Sequence, residues 1–323
     1  MSYLVTGAAG FIGYHVCEAL LARGESVIGI DNLNDYYEVS LKEARRGRLT
    51  VQNGFSFHKV DISDREAMQS VVDSHPGIIH IIHLAAQAGV RYSLENPFAY
   101  VQSNVVGQLV ILEICRHLDS LEQLVYASSS SVYGGNTKLP FAVGDPTDTP
   151  ASLYAATKKT DELMGHCYSH LYSVPATGLR FFTVYGPWGR PDMAAYIFAR
   201  AISEGRPIPV FNHGDMRRDF TYIDDIVSGV LAVAGKPPVG DVPHRVYNIG
   251  NNDAEPLLRF IELIEQALGR KAILDLQPMQ PGDVKETFAD IEAIRQDFGF
   301  EPRTRIEEGI PKFIEWFRGY NGS

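Results

Sequence analysis

Three glycines at a fixed interval, Gly7, Gly10 and Gly13, stand where the β-prone run Tyr3-Leu4-Val5 gives way to a helical pattern through Val16, Ala19 and Leu20. Strand, glycine turn and helix in that order aim backbone N–H groups and the positive end of a helix at one point, which suits a pyrophosphate. The spacing is Gly-x-x-Gly-x-x-Gly rather than Gly-x-Gly-x-x-Gly, and glycine turns also serve steric needs alone. The next segment decides between the two. Residues 26–30 read as a second strand, and Asp31 falls at its end, about 20 residues on, where a ribose-binding acid is expected. A carboxylate there accepts hydrogen bonds from the ribose hydroxyls and repels a 2′-phosphate. The expected cofactor is therefore NAD and not NADP.

Strands and helices go on alternating, which implies right-handed crossovers and a parallel sheet. A polar excursion over 32–53 carries a short helix around 41–48. A strand over 55–60 ends in Asp61-Ile62, and Ser63 is expected to cap a helix reaching about 72. The apolar run over 78–84 suits a strand buried on both faces. It empties into Ala85-Ala86-Gln87-Ala88-Gly89, small residues that admit a flat ligand. Helices are predicted over 98–118 and 154–173, with strands over 124–127 and 176–182. Beyond Gly186, prolines punctuate shorter elements, with helices near 194–203, 223–234 and 257–268. The expected fold is α/β: a Rossmann-type doubly wound parallel sheet over 1–186, with later segments returning to it, and a smaller α/β substrate domain over 187–323.

The run Ser128-Ser129-Ser130-Ser131-Val132-Tyr133-Gly134 is followed by Tyr154-Ala155-Ala156-Thr157-Lys158. Tyrosine and lysine four apart on a helix share a face, and a neighbouring ammonium favours phenolate over phenol. A serine hydroxyl at a strand end can then bind the same substrate oxygen. An isolated Tyr-x-x-x-Lys is equally a helix-surface pair; its place downstream of a dinucleotide fingerprint makes it proton-transfer machinery beside a hydride acceptor.

Composition excludes several classes. The formal charge of −10 argues against general affinity for nucleic acid or anionic membranes. Cys17, Cys115 and Cys167 and the ten histidines show no metal-ligand spacing, so no metal is expected. Buried, reduced thiols fit a cytoplasmic setting. The first strand starts at once, leaving no room for a signal peptide, and no apolar run is expected to span a bilayer.

Together these motifs resemble the extended short-chain dehydrogenase/reductase family and, within it, the nucleotide-sugar 4-epimerases. The resemblance runs nearly end to end, through 6–13, 84–89, 128–134, 154–158, Arg180-Phe181-Phe182-Thr183-Val184-Tyr185-Gly186-Pro187, Arg218-Asp219-Phe220 and Pro281-Gly282-Asp283. Two stretches, 183–193 and 279–284, look like the UDP-glucuronate 4-epimerases in particular. The resemblance implies tightly held NAD and a homodimer through helices 98–118 and 154–173. Implied cofactor contacts are Gly7, Gly10, Phe11, Ile12, Gly13, Asp31, Asn32, Asp61, Ile62, Leu84, Ala85, Ala86, Ala88, Asn104, Tyr154, Lys158 and Phe182. Implied catalytic residues are Tyr154 as base, Lys158 and Ser129, acting through a transient 4-keto sugar.

The implied UDP-sugar contacts are Arg91, Ser129, Ser130, Ser131, Tyr154, Thr183, Arg190, Val210, Phe211, Arg218 and Asp283. Thr183 and Arg190 are the candidates for a sugar carboxylate, and Arg218 for the diphosphate. Galactose-type epimerases commonly carry Asn at position 183 and Arg at position 280. Related decarboxylases carry Glu at position 131, and related dehydratases Asp-Glu at 130–131, where this chain has serines. The alternatives are therefore a UDP-glucose/UDP-galactose 4-epimerase, a UDP-glucuronate decarboxylase and, in another class, a non-catalytic dinucleotide-binding sensor. A sensor would be expected to lose Tyr154 or Lys158.

Overall fold

The computed structural model describes residues 1–279 and 284–322. Short apolar segments form β1 (Ser2–Thr6), β2 (Ser26–Asp31), β3 (Phe55–Lys59), β4 (Ile78–His83), β5 (Gln123–Ser129) and β6 (Ala176–Phe181). Between them run α1 (Phe11–Ala22), α2 (Val39–Thr50), α3 (Arg65–Asp73), α4 (Tyr92–Glu95), α5 (Pro97–Tyr100), α6 (Gly107–His117) and α7 (Leu153–Tyr172). Further on come β7 (Thr183–Tyr185), α8 (Ala194–Glu204), β8 (Pro207–Val210), β9 (Arg217–Arg218), β10 (Phe220–Tyr222), α9 (Ile223–Ala234) and β11 (His244–Ile249). The chain closes with β12 (Glu255–Pro256), α10 (Leu257–Leu268), β13 (Ile273–Leu276), α11 (Glu292–Phe298) and α12 (Ile306–Asn321).

The main sheet has the order β11-β6-β5-β4-β1-β2-β3, and the pairs from β6 to β3 are parallel. This is the doubly wound arrangement, and its order reverses between β1 and β4, where the crevice for a ligand opens. One side of the sheet buries Leu4, Ile28, Ile81 and Leu124 against Met68, Val71 and Val72 of α3 and Ile111 and Ile114 of α6. Two compact units result. The first comprises Met1–Gly135, Asp145–Phe181 and Val227–Tyr247; the second comprises Asn136–Gly144, Phe182–Ile226 and the chain from Asn248 onward. Most of α9 and the start of β11 belong to the first unit, and Asn136–Gly144 belongs to the second. In the second unit Phe220 stacks on Phe260 at 3.9 Å between ring centroids, and Tyr196 meets Phe313 and Phe317 of α12.

Several local expectations need correction. The run read as one helix over 98–118 contains a π-helical turn, Val101–Val106, between α5 and α6. By length and composition, Pro97–His117 also meets the measure of a membrane-crossing helix, contrary to expectation, but half of it is buried against this chain's own sheet. Asp64, not Ser63, caps α3: its carboxylate accepts from Ala67 N at 3.0 Å, while the Ser63 hydroxyl donates to Asp61. Cys17 and Cys115 are buried as expected, but Cys167 is exposed on α7.

Candidate active site

The N-terminus of α1 lies open to an anion. Its cap residue, Gly10, offers no side-chain acceptor, and the first turn carries no acid, so its unpaired N–H groups and dipole stay available. Gly7 has φ +72°, and a Cβ there would meet Ala85 N at 2.8 Å. Turn, helix and the exit of β4 therefore meet backbone to backbone, a cradle that any side chain would fill. The Thr6 hydroxyl braces this corner, accepting from Ala85 N at 3.1 Å and pairing with His83 Nδ1 at 2.7 Å. Burial, with the charge of Lys158, pulls His83 down to about 3.

Asp31 is buried at the end of β2, accepting from Leu33 N at 2.9 Å and Ala9 N at 3.1 Å. Burial pushes its carboxyl up, against the pull of those N–H groups and of Lys42 and Arg45. Those two cations escaped the sequence reading, although at three apart on α2 they share a face. Arg45 is fully buried and donates to Ala9 O at 3.0 Å and to the Tyr37 hydroxyl at 2.9 Å. Asn32 donates to Asp61 Oδ2 at 2.8 Å. Burial alone would raise Asp61, but the bonds from Ser63 and Asn32 hold it below the usual range. Ile62 is buried against Gly107, and Leu84, Ala85 and Ala86 are partly exposed where β4 ends. The Ala88 carbonyl accepts from Tyr100 at 2.9 Å. Asn104, in the π turn, grips the loop and α7 together: its Oδ1 accepts from Gln87 N at 2.8 Å, and its Nδ2 donates to Gln87 O and Thr157 Oγ1. These residues share the first unit, at the carboxyl edge of its sheet.

Ser152 caps α7 by accepting from Ala155 N at 3.1 Å. This fixes the first turns, in which Tyr154 and Lys158 stand one above the other. The Tyr154 ring meets the Tyr100 ring edge-on at 6.0 Å. Lys158 Nζ is buried and donates to Ala127 O at 2.9 Å and Asp161 Oδ2 at 3.0 Å. Ser129 ends β5 and caps a 3₁₀ turn, Ser130–Tyr133; its oxygen accepts from both the N–H and the hydroxyl of Ser131. Its own hydrogen is left to donate. Beneath, Arg180 of β6 holds Glu162 of α7 through two bonds of 2.7 and 2.8 Å and donates to the Tyr133 hydroxyl at 3.0 Å, while Ser128 donates to Glu162 at 2.6 Å. That lock between β5, β6 and α7 was not foreseen. Arg91 closes the loop from β4 just before α4.

In the second unit, Phe182 is buried and donates its N–H to Ile249 O, and Thr183 N donates to Asp219 O, each at 3.2 Å. Asp192 holds Arg190 by two hydrogen bonds, one of 2.9 Å through Nε. Val210 is buried, and Phe211 opens a 3₁₀ turn in which Asn212 and His213 are left-handed. Arg218 donates to the carbonyls of Arg217 and Lys285, each at 3.0 Å. Asp283 lies outside the described residues. The sequence reading took Arg218 from its motif but missed the neighbouring Asp219, a buried hub accepting from Thr221, Asn251, Asn252 and Ala289. Burial pushes Asp219 up to about 6 despite those bonds. Among the described residues no three or more His, Cys, Asp or Glu side chains are grouped to hold a metal.

Residues 3–250 match the NAD dependent epimerase/dehydratase family. A Rhizobium meliloti protein named probable UDP-glucuronate 4-epimerase is 47% identical over 333 residues, 98% of this chain and 97% of that one. UDP-glucuronate 4-epimerase 2 of Arabidopsis thaliana is 46% identical over 99% of this chain and 76% of its own length. Among solved structures, UDP-glucuronic acid 4-epimerase from Bacillus cereus, in complex with UDP-glucuronic acid and NAD, superposes with a TM-score of 0.92 at 32% identity, covering 99% of this chain and 100% of that one.

Proposed function

The chain belongs to the NAD dependent epimerase/dehydratase family, and we propose that it catalyses NAD-dependent 4-epimerisation of UDP-glucuronate to UDP-galacturonate. The observation that carries this reading is the cluster at the carboxyl end of β5, where the α7 face bearing Tyr154 and Lys158 stands beside a serine whose hydroxyl hydrogen is unspent. The likeness to UDP-glucuronate 4-epimerases, over 98–99% of this chain, names the sugar.

The cradle fits NAD: an uncapped helix N-terminus for the pyrophosphate at Gly7–Gly13, with Phe11 and Ile12 in its first turn, and a carboxylate for the ribose at Asp31. Asn32, Asp61 and Ile62 flank the adenine side; Leu84, Ala85, Ala86 and Ala88 line the remainder within the first unit. Asn104 acts by holding the 85–88 loop against α7, since both hydrogens of its amide are taken within the protein. Bound NAD supplies a hydride acceptor at the sugar C4 and returns the hydride to the opposite face.

Tyr154 takes the proton from the 4-hydroxyl and gives it back, Lys158 stabilises the phenolate, and Ser129 donates to the same oxygen throughout. It is the turning over of the keto sugar between the two proton transfers that presents the other face of C4 to the hydride and so inverts that carbon. Thr183 and Arg190 are the second unit's groups for the sugar carboxylate, and Ser130 and Ser131 the first unit's hydroxyls for the sugar. Asp192 holds Arg190 by two hydrogen bonds, which fixes the direction of the guanidinium. Arg218 and Arg91 serve the diphosphate, and Val210, Phe211 and Asp283 the uridine. Serines at 130 and 131 provide no acid to shuttle a proton for elimination.

The chain pairs with a second copy through α5–α6 and α7, whose outer faces expose Phe98, Val101, Leu109, Leu163 and Leu171. A reducing cytoplasmic setting suits its three free thiols. Incubation with UDP-glucuronate and with UDP-glucose, products resolved by NMR and mass spectrometry, tests the reading. UDP-galacturonate from the first is expected. Dominant UDP-pentose would mean a decarboxylase, and turnover of UDP-glucose alone would mean the carboxylate site was misread.

A further inference from the structure

We infer that Asp161 is a positioning residue for the epimerisation: its carboxylate holds the Lys158 ammonium against the Ala127 carbonyl and offsets part of its charge, so setting how firmly Lys158 stabilises the Tyr154 phenolate. The inference rests on the reading of Tyr154 and Lys158 above.

Two adjacent acids on α7 differ in a way that a purely structural role does not explain. Glu162 is fully engaged, its oxygens taken by Arg180 twice and by Ser128, with Lys159 near; burial would raise it, but these partners hold it below the usual range. That is how a structural buried carboxylate is satisfied. Asp161 is equally buried, yet its Oδ2 meets Lys158 alone and its Oδ1 has no hydrogen-bond partner. Burial pushes it up to about 6, against the pull of Lys158. A half-satisfied acid this deep contributes little to stability for what it costs, and its single partner is the lysine of the site. Ala127 O and Asp161 Oδ2 take two of the three ammonium hydrogens, which leaves one for a third acceptor.

The other charges around α7 are accounted for. From β4, burial and, after it, the charge of Lys158 pull His83 down to about 3. From β5, the Tyr126 phenol is raised by burial and by Glu162 and Asp161, and it bonds His244 of β11, itself pulled down to about 4 by burial and His166. From β6 comes Arg180, committed to Glu162, and from the 3₁₀ turn Tyr133, bound to Arg180. The π turn carries no charge. On α6, Glu113 bonds Tyr168 and Arg116, and Arg116 lies over Tyr172, at the far end of α7. On α4, Glu95 is exposed; on α5, Tyr100 faces Tyr154. Asp161 is therefore the one acid among them in direct contact with Lys158.

Asp161→Asn keeps the shape and one acceptor oxygen but removes the charge. The phenolate should then form at lower pH, moving the low-pH limb of kcat/KM for UDP-glucuronate acidward by roughly one pH unit. Ultraviolet difference titration of tyrosinate, taken against Tyr154→Phe as blank, should move the same way without turnover. Asp161→Ser removes the charge in a smaller side chain and carries the comparison if the Asn variant does not fold. It should show the same acidward shift with a lower kcat, because the ammonium is no longer held. Limbs and tyrosinate titrations that superpose on wild type, or that move to higher pH, overturn the inference. If Tyr154→Phe itself turns over at a near wild-type rate, the assignment of the base has failed, which is a distinct result.

Discussion

Asp219 does more for the second unit than any arginine beside it. Its Oδ1 accepts from Asn251 N at 2.6 Å and Thr221 Oγ1 at 3.0 Å, and its Oδ2 from Asn252 N and Ala289 N at 3.1 Å each. One buried carboxylate thereby joins the end of β11, β10 and the segment after the 279–284 stretch. Asp219→Ala would leave the backbone N–H groups of Asn251, Asn252 and the buried Ala289 without this acceptor, at a cost of about 3 kcal/mol. Urea unfolding followed by circular dichroism should show a midpoint lowered accordingly, and an unchanged midpoint would mean that solvent replaces the acid freely. Tyr154→Phe is the opposite case. It removes a hydroxyl from a half-buried ring already braced by Tyr100, so the fold and NAD binding should persist while the rate falls by about 10²–10⁴-fold. Retention of NAD with near wild-type turnover would exclude Tyr154 as the base.

At the scale of elements, the proposed ribose-binding acid stands at the junction of β2 with α2. Asp31 is fixed by two backbone N–H groups, and Lys42 and Arg45 of α2 already lean on it electrostatically. Asp31→Ala should weaken NAD and narrow the discrimination against NADP, since the ribose bonds vanish and two cations are left beside the site of a 2′-phosphate. Calorimetric titration of stripped protein with both nucleotides measures this; wild type binding NADP as well as NAD would refute the role of Asp31. The glycine spacing, the strand ends and the Tyr-x-x-x-Lys face were all legible in the sequence because each depends on neighbours within a turn or a strand. Lys42 and Arg45 were not, because their meaning comes from an acid on another element. The lock of Arg180 on Glu162 and Ser128 is hidden for the same reason. The π turn leaves no mark on apolar periodicity: one extra residue per turn shifts the pattern too little over six positions. α11 has only seven residues and α12 carries Pro311 within it, which blurs both against the usual helix signals. In the second unit the strands run two to four residues and find partners far along the chain, so no local alternation announces them.

At the scale of the whole molecule, the helix run Pro97–His117 carries two messages. Its inner face, with Ile111 and Ile114, is buried against the sheet, while Phe98 is 84% exposed, and Val101 and Leu109 are exposed as well. On α7, which packs beside α5 and α6, Leu163 and Leu171 are each 59% exposed. Composition alone would let these side chains meet lipid; in the pairing proposed above a second copy buries them instead. In a two-fold pairing each residue counts twice, so a single charge is enough to test it. Under the pairing proposed above, Leu163→Glu places a carboxylate in the face of each protomer and should favour the monomer, with the dissociation constant raised at least a hundredfold, as two buried leucines at about 1.5–3 kcal/mol apiece imply. Val51→Glu, at an exposed position beyond α2, should leave the mass unchanged. Sedimentation velocity across a dilution series separates the two. A Leu163→Glu protein that remains dimeric with wild-type affinity would move the interface elsewhere, and a wild type monomeric at micromolar concentration would remove it.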